Sequence, residues 1–410
     1  MRKNQNQEES FDYSTFEKEA IKRLREGKGL TGEGGALTGL IKRILEAALD
    51  EEMNAQLPEL KASDPSNRKN GHTRKVVKTG LGPVPIEPPR DRKGKFEPKI
   101  IGKWDRSIAP EIEQQILALY GIGTSYADIR DHLKRMYGMD YSEAVISGIT
   151  DRIREELHSW KSRPLSRLYT VVYLDAIHYR VREDRQVQTK AVYSVMGVDL
   201  YGQRDVLGIF IGEAEGAKHW GRVLENLKDR GVEDVLFFCV DGLNGFTESI
   251  QGVFPRSTVQ RCIVHMVRTS LRFVNWKDYR SLCKDLKTVY RADDAEMAWK
   301  YLQTFGEKWD KKYPEIREKW EKNWIELSPF FDYPEKLRKI IYTTNAVEAL
   351  HRILRKATKT KGAFTNEKAI EKQLYLALKY SEKSWKRSVR GWPDIIRSLI
   401  REFPDRIGAL

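Results

Sequence analysis

Two aspartates follow apolar runs of the kind that form buried strands. Leu168–Leu174 (LYTVVYL) leads into Asp175, and Val235–Val240 (VLFFCV) leads into Asp241, with glycines at 242 and 245. A short apolar run stopped by turn chemistry reads as a strand covered on both faces. Open α/β sheets collect ligands beyond the carboxyl ends of their strands, where both carboxylates would stand. Either aspartate alone reads as a turn cap; the pair points to a shared carboxylate site. Joined by a glutamate, such a site would offer all-oxygen coordination to a hard divalent ion, Mg²⁺ or Mn²⁺. Two ions about 4 Å apart support in-line displacement at a phosphodiester without a protein nucleophile. Glu348 lies on a helix-forming stretch with Asn345, His351, Arg352 and Arg355. Its spacing alone reads as a surface residue paired with Arg352 at i+4. No GxxxxGK[ST], HExxH or nucleophile elbow occurs.

The elements that would position these residues begin at 168. LYTVVYLDAIHYR, KAVYSVMGVDL and RDVLGIFIG read as three strands with hairpin-type connections. AKHWGRVLENLKDRG reads as a helix, then VLFFCVD a strand, GFTESIQGVF a helix and STVQRCIV a strand. The order β-β-β-α-β-α-β describes a ribonuclease H-like mixed sheet, in which Asp175 and Asp241 become neighbours. Residues 266–335 carry no strand pattern and hold five tryptophans, which read as the core of a helical insertion. Cys262 and His265 have half the spacing of a zinc site, but no second pair appears. A buried thiol with His265 beside the carboxylates is the preferred reading.

The chain upstream is basic and modular. Lys and Arg number 73 against 59 Asp and Glu, a formal charge of +14, which favours polyanionic partners, nucleic acid first. Residues 11–60 read as helical, with Leu37, Leu40, Ile41, Ile44, Leu45 and Ala48 on one stripe that must bury within the domain or on a second copy. Residues 61–98 are rich in Pro, Gly and cations, including Arg74, Lys75, Arg90 and Arg92. They read as a phosphate-contacting arm or a solvated linker, and their prolines forbid a central strand. Residues 109–158 read as a helix-turn-helix-like trihelical unit. Its first helix is Pro110–Tyr120, Thr124 or Ser125 caps the second, and Ser142 caps a third through EAVISGITDRIREELHSW. Ser142, Glu143, Ser147, Thr150, Asp151 and Arg154 are its groove candidates.

The fold class expected is therefore multidomain α/β. A helical N-terminal or dimerisation domain (1–60) precedes a basic segment (61–108) and the trihelical DNA-binding domain (109–165). A catalytic core follows in two parts (166–265 and 336–410), interrupted by an all-helical insertion (266–335). Thr343 or Thr344 would cap the Glu348 helix, and Arg352, Arg355 and Lys356 suit a nucleic-acid backbone passing that helix. Cys239, Cys262 and Cys283 give no disulfide framework, which suits a reducing cytoplasm. The polar amino terminus shows no secretory signal, and no apolar run is long enough to span a membrane.

DAIHYRVR, DGLNGF with VQRCIVHMVR, and TTNAVEALHR resemble the signature blocks of bacterial Mutator-type insertion-sequence transposases. NGHTRKVVKT and PPRDRKGKFEP resemble that family's amino-terminal region, so the likeness spans nearly the whole chain. The resemblance implies that Asp175, Asp241 and Glu348 form a DDE triad holding two Mg²⁺ or Mn²⁺ ions. Cys262 and His265 match the family's C-x-x-H, and Asn345 its Asn three residues before the Glu. His351 stands where Asn is commoner. Arg268 closes the C-x-x-H block and joins the DNA-contact candidates. The activity implied is metal-dependent cleavage at an element's terminal inverted repeats, then strand transfer into target DNA by a homodimer or larger synaptic complex. Copy-out through a circular intermediate is the route suggested. A ribonuclease H-like nuclease without strand transfer and a catalytically silent DNA-binding regulator are the alternatives.

Overall fold

The computed structural model describes residues 12–30, 34–80, 82–103, 107–108, 110–183, 186–212, 217–242, 245–342 and 345–408. The chain divides into two compact units, 1–120 with 124–152, and 121–123 with 153–410.

In the first unit, helices Tyr13–Arg25 and Thr38–Ser63 precede five short strands: β1 (Lys69–His72), β2 (Lys75–Thr79), β3 (Gly82–Ile86), β4 (Pro89–Asp91) and β5 (Ser107–Ile108). β2 lies between β3 and β5, while β1 pairs with β4. Pro83 and Pro85 fall on β3, an edge strand, where a missing N–H costs least. The apolar stripe of the long helix packs on this sheet, with Ile41, Leu45 and Leu49 against Val77, Val84, Ile86 and Ile101. Ile44, expected on that stripe, is instead exposed.

Helices Pro110–Gly121, Tyr126–Tyr137 and Glu143–Asp151 follow. Ser125 caps the second and Ser142 the third, each accepting a backbone N–H three residues on. The third is shorter than the sequence suggests: it stops at Asp151, and a separate helix, Arg154–Ser162, belongs to the second unit. β-Branched Ile149, Thr150 and Ile153 are weak helix formers, and the Thr150 hydroxyl donates back to the Ser147 carbonyl at 2.9 Å.

The second unit is built on a five-stranded mixed sheet. Its strands are β6 (Leu168–Glu183), β7 (Gln186–Val198), β8 (Arg204–Gly212), β9 (Asp234–Val240) and β10 (Thr258–Arg261), arranged β10-β9-β6-β7-β8. β6, β7 and β8 form an antiparallel meander, and β9 and β10 run parallel to β6. Helix Ala217–Asp229 precedes β9, and helix Phe246–Val253 precedes β10. This is the element order read from the sequence.

One boundary differs. β6 does not end at Asp175 but runs on to Glu183, because Ile177, Tyr179 and Val181 keep alternating inward and β7 keeps pairing. β9 stops at Val240, so beyond Asp175 the other edge of β6 loses its partner. Phe364 covers that edge: its N–H donates to the Arg180 carbonyl and its carbonyl accepts from the Arg182 N–H, both at 2.8 Å.

Helices occupy both faces. Trp220, Val223, Leu224 and Leu227 cover one face; Val347, Leu350, Leu354, Leu374, Trp385 and Trp392 join the core on the other. From Ile263 to Ile341 the described elements are all helical. Their tryptophans do not share one fate. Trp309 and Trp320 are buried, but Trp276 is 79% exposed, which removes it from the expected core. Among the described residues no helix is long and apolar enough to cross a membrane.

Candidate active site

Strand register brings the two aspartates together. Leu174 of β6 lies opposite Val240 of β9, so the next residues, Asp175 and Asp241, stand on neighbouring strands about 4.8 Å apart in the sheet. Apolar residues flank both on strands whose burial is nearly continuous.

Glu348 comes from the far end of the chain on helix Asn345–Thr358. Val347, Leu350 and Leu354 bury one stripe of this helix and so fix which way Glu348 points. The segment before it is tied to the sheet by two hydrogen bonds. Tyr173 Oη donates to the Ile340 carbonyl at 2.7 Å, and Cys239 Sγ to that of Ile341 at 2.8 Å. The expected caps Thr343 and Thr344 lie outside the described residues.

His265 joins the groups. Helix Ile263–Ser270 starts directly after β10, and Cys262 caps it by accepting the His265 N–H at 3.4 Å. His265 Nδ1 lies 3.3 Å from Asp241 Oδ1, and its Nε2 lies 3.6 Å from Glu348 Oε1. Arg268, one turn on, places a guanidinium nitrogen 2.9 Å from the same Glu348 oxygen. Glu348 thus pairs with Arg268 and His265, not with Arg352 as helix spacing alone suggests. His351 Nδ1 approaches Asp175 Oδ2 at 3.3 Å. Asn345 opens the Glu348 helix, exposed and without a hydrogen-bond partner among the described residues.

The electrostatics follow from burial and these neighbours. Burial pushes the Asp175 carboxyl up to about 7; His265 opposes the rise, and Asp241 and Glu348 add to it. Burial also pushes Asp241 up, but the His265 hydrogen bond and charge, the Gly242 N–H and Arg261 together hold it below its ordinary value. Hydrogen bonds to Asp241 and Cys262 raise His265 to about 11. His351 goes the other way, down to about 4, through burial and then the charges of Arg355 and His265.

The residues suit a divalent cation in donor type. Three carboxylates supply hard oxygens, and the raised Asp175 shows like charges crowding a partly dry pocket. Glu348 Oε1 and His265 Nδ1 are buried without a well-formed hydrogen bond. Yet among the described residues no three His, Cys, Asp or Glu side chains converge at metal-holding distance. One oxygen of Asp241 lies against His265, and one of Glu348 against both His265 and Arg268.

The sequence reading undervalued two residues. His351 sits three positions after Glu348, the spacing that shares a helix face, which was the available signal. Arg261 had none. Its guanidinium donates to the Gly242 carbonyl and pairs with Glu326 at 2.9 Å, bracing the turn after Asp241.

The DNA-contact candidates are scattered. Arg74 is exposed and 3.2 Å from Glu87, Arg90 donates to the Asn70 carbonyl, and Arg92 is exposed. Lys75 turns onto the Gly102 carbonyl at 2.8 Å. Ser147 is half-buried; Arg154, Arg352, Arg355 and Lys356 are exposed. Thr150 cannot read a base edge: it is fully buried and bonded to Tyr126 Oη at 3.2 Å.

Comparison with known proteins gives the class. Residues 13–388 match the family model described as Transposase, Mutator family. The chain belongs to the Mutator family of transposases. It is 42% identical to the transposase for insertion sequence element ISRM3 of Rhizobium meliloti (strain 1021), over 92% of this chain and 95% of that protein. It is 30% identical to the transposase for insertion sequence element IS905 of Lactococcus lactis subsp. lactis (strain IL1403), over 84% of this chain and 89% of that protein. A solved structure, the Drosophila P element transposase strand transfer complex, aligns over 72% of this chain and 87% of its own, with a TM-score of 0.30 at 10% identity.

Proposed function

We propose that the chain is a DDE-type DNA transposase with a ribonuclease H-like core, acting on the terminal inverted repeats of an insertion sequence. The observation that carries this reading is the register of β6 and β9, which sets Asp175 beside Asp241, together with His265 linking Asp241 to Glu348. When bound, Mg²⁺ or Mn²⁺ would supply charge neutralisation at the phosphodiester and activation of the attacking oxygen.

The chain's own residues do the rest. Asp175, Asp241 and Glu348 would provide the ligand oxygens for such an ion; Arg268 and His265 hold the Glu348 carboxylate in place. His351 fixes the Asp175 carboxylate, and Arg261 fixes the turn beyond Asp241. Exposed Arg352, Arg355 and Lys356 extend from the carboxylates along one helix, suited to a DNA backbone. The reaction is hydrolysis at the element end, followed by attack of the released 3′-hydroxyl on target DNA. Two ends must be joined, so a homodimer or larger assembly acts, with residues 1–60 the proposed interface. The all-helical stretch 266–335 is the insertion domain, and the trihelical segment 110–151 a helix-turn-helix-like DNA-binding domain.

The test is strand transfer by the purified chain, using labelled element-end DNA, a plasmid target and Mg²⁺ or Mn²⁺. Joined product that disappears in Asp241→Ala supports the reading. Hydrolysis without joining, in the presence of both ends, would make the chain a nuclease.

A further inference from the structure

Helix Trp276–Tyr290 of the second unit buries Leu282, Leu286 and Val289. The opposite side is a line of cations. Trp276, Arg280, Lys284, Lys287 and Arg291 follow one another three or four residues apart, so they share one face. All five are exposed. At 1.5 Å per residue the cations, Arg280 to Arg291, span about 16 Å, and Trp276 continues the face to about 22 Å.

Basic helix faces are usually just solvated, so the arrangement of the acids decides the matter. The helix has two, Asp278 and Asp285, and both point away from the line. Asp278 accepts from Tyr313 Oη at 3.0 Å, and Asp285 from Trp309 Nε1 at 2.8 Å. Among the described residues Arg280, Lys284 and Lys287 have no carboxylate partner; Arg291 feels Glu335. Lys284, Lys287 and Arg291, with Asp293, Met297 and Tyr301, also line a groove of about 460 Å³.

At the amino-terminal end stand two aromatic rings with no packing role. Phe273 and Trp276 are each 79% exposed, and Arg272 lies over the Phe273 ring at 5.5 Å. Five residues separate Phe273 from Arg268, the residue that pairs with Glu348, so at most about 18 Å of chain joins them.

We infer that this face is a rail for the DNA backbone next to the cleavage site, with Phe273 and Trp276 stacking on a base exposed at the opened end. The cations' span of about 16 Å corresponds to about five base pairs at 3.4 Å each. The inference rests on the transposase reading, and names a surface of the insertion that serves it.

The test is anisotropy titration of the full chain with a labelled element-end duplex across a salt series, without divalent metal. The triple variant R280Q/K284Q/K287Q should flatten the slope of log K against log salt by about 2.7, the loss of three phosphate contacts at about 0.9 each. An unchanged melting temperature shows that the fold is kept. Trp276→Ala should weaken a duplex with a single-stranded tail about tenfold more than a blunt one. If wild type binds DNA and the triple variant keeps its slope, the rail is overturned while the transposase reading stands. If wild type binds no element-end DNA, both fall. Unchanged DNA binding with lost self-association would assign the face to a second copy and also overturn the rail.

Discussion

His351 Nδ1 lies 3.3 Å from Asp175 Oδ2, and both residues are almost wholly buried. His351 shares its helix with Glu348, so one rigid element both presents one carboxylate and orients another.

Replacing His351 with Leu should therefore lower cleavage about 10- to 100-fold, the usual loss when a residue orienting a metal ligand is removed. The apparent affinity for Mn²⁺ should fall with it. His351→Asn, which keeps a donor and an acceptor, should lose less. Titrating activity against metal for both variants measures the difference. Equal loss would mean that the ring's volume matters and its nitrogen does not.

Asp175 predicts a pH dependence of stability. Its folded carboxyl is raised to about 7 from an ordinary 3.8, so between those values the folded state holds a proton that the unfolded chain has lost. The advantage is complete below about pH 4 and gone above about pH 7. Without metal, Asp175→Asn should be more stable than wild type at pH 8 by up to about 4 kcal/mol, and the gap should close by pH 4. Melting curves at the two pH values test this. Adding Mg²⁺ at pH 8 should raise the melting temperature of wild type and not of the variant.

Gly242 is required by its neighbour. A Cβ there would collide with the guanidinium group of Arg261. Gly242→Ala makes the Arg261 guanidinium shift, and the cost, up to about 1–3 kcal/mol, is set by how far it leaves Glu326 and the Gly242 carbonyl. Urea unfolding measures the loss, and Gly242→Ala combined with Arg261→Ala should recover part of it.

Tyr173 tests the anchor of the Glu348 segment. Tyr173→Phe removes the part-buried hydrogen bond to the Ile340 carbonyl, a cost of about 0.5–1.5 kcal/mol. Proteolysis near residue 340 should quicken while helices Trp276–Tyr290 and Ala295–Trp309 stay protected.

Much of the sheet was legible because its strands are written in apolar runs, and Asp241 ends one of them. Asp175 was legible as a residue but not as a position: an alternating sequence past Leu174 lets the strand continue, and only the loss of β9 marks the place. Glu348 was illegible from spacing, since Arg352 at i+4 offers an ordinary helix pair. Its true neighbours, His265 and Arg268, come from another element that only tertiary packing brings near. Trp276 misled for the opposite reason. Residue type suggests core, whereas the helix phase set by Leu282, Leu286 and Val289 turns it outward.

The cover over the outer edge of β6 has a consequence for synthesis. Val181 meets Phe364 in the finished molecule, and the intervening chain must leave the ribosome first. At 5–20 residues per second that takes roughly 10–40 s. Once β9 has been made and paired, Asp175 and Asp241 can already sit together while Glu348 is still untranslated or undocked, and the strand edge beside them stays bare. The nascent protein then lacks its third carboxylate and is open to pairing with any extended chain nearby. A single late segment removes both conditions, so activity and resistance to aggregation should arrive together once the Glu348 helix and Phe364 dock.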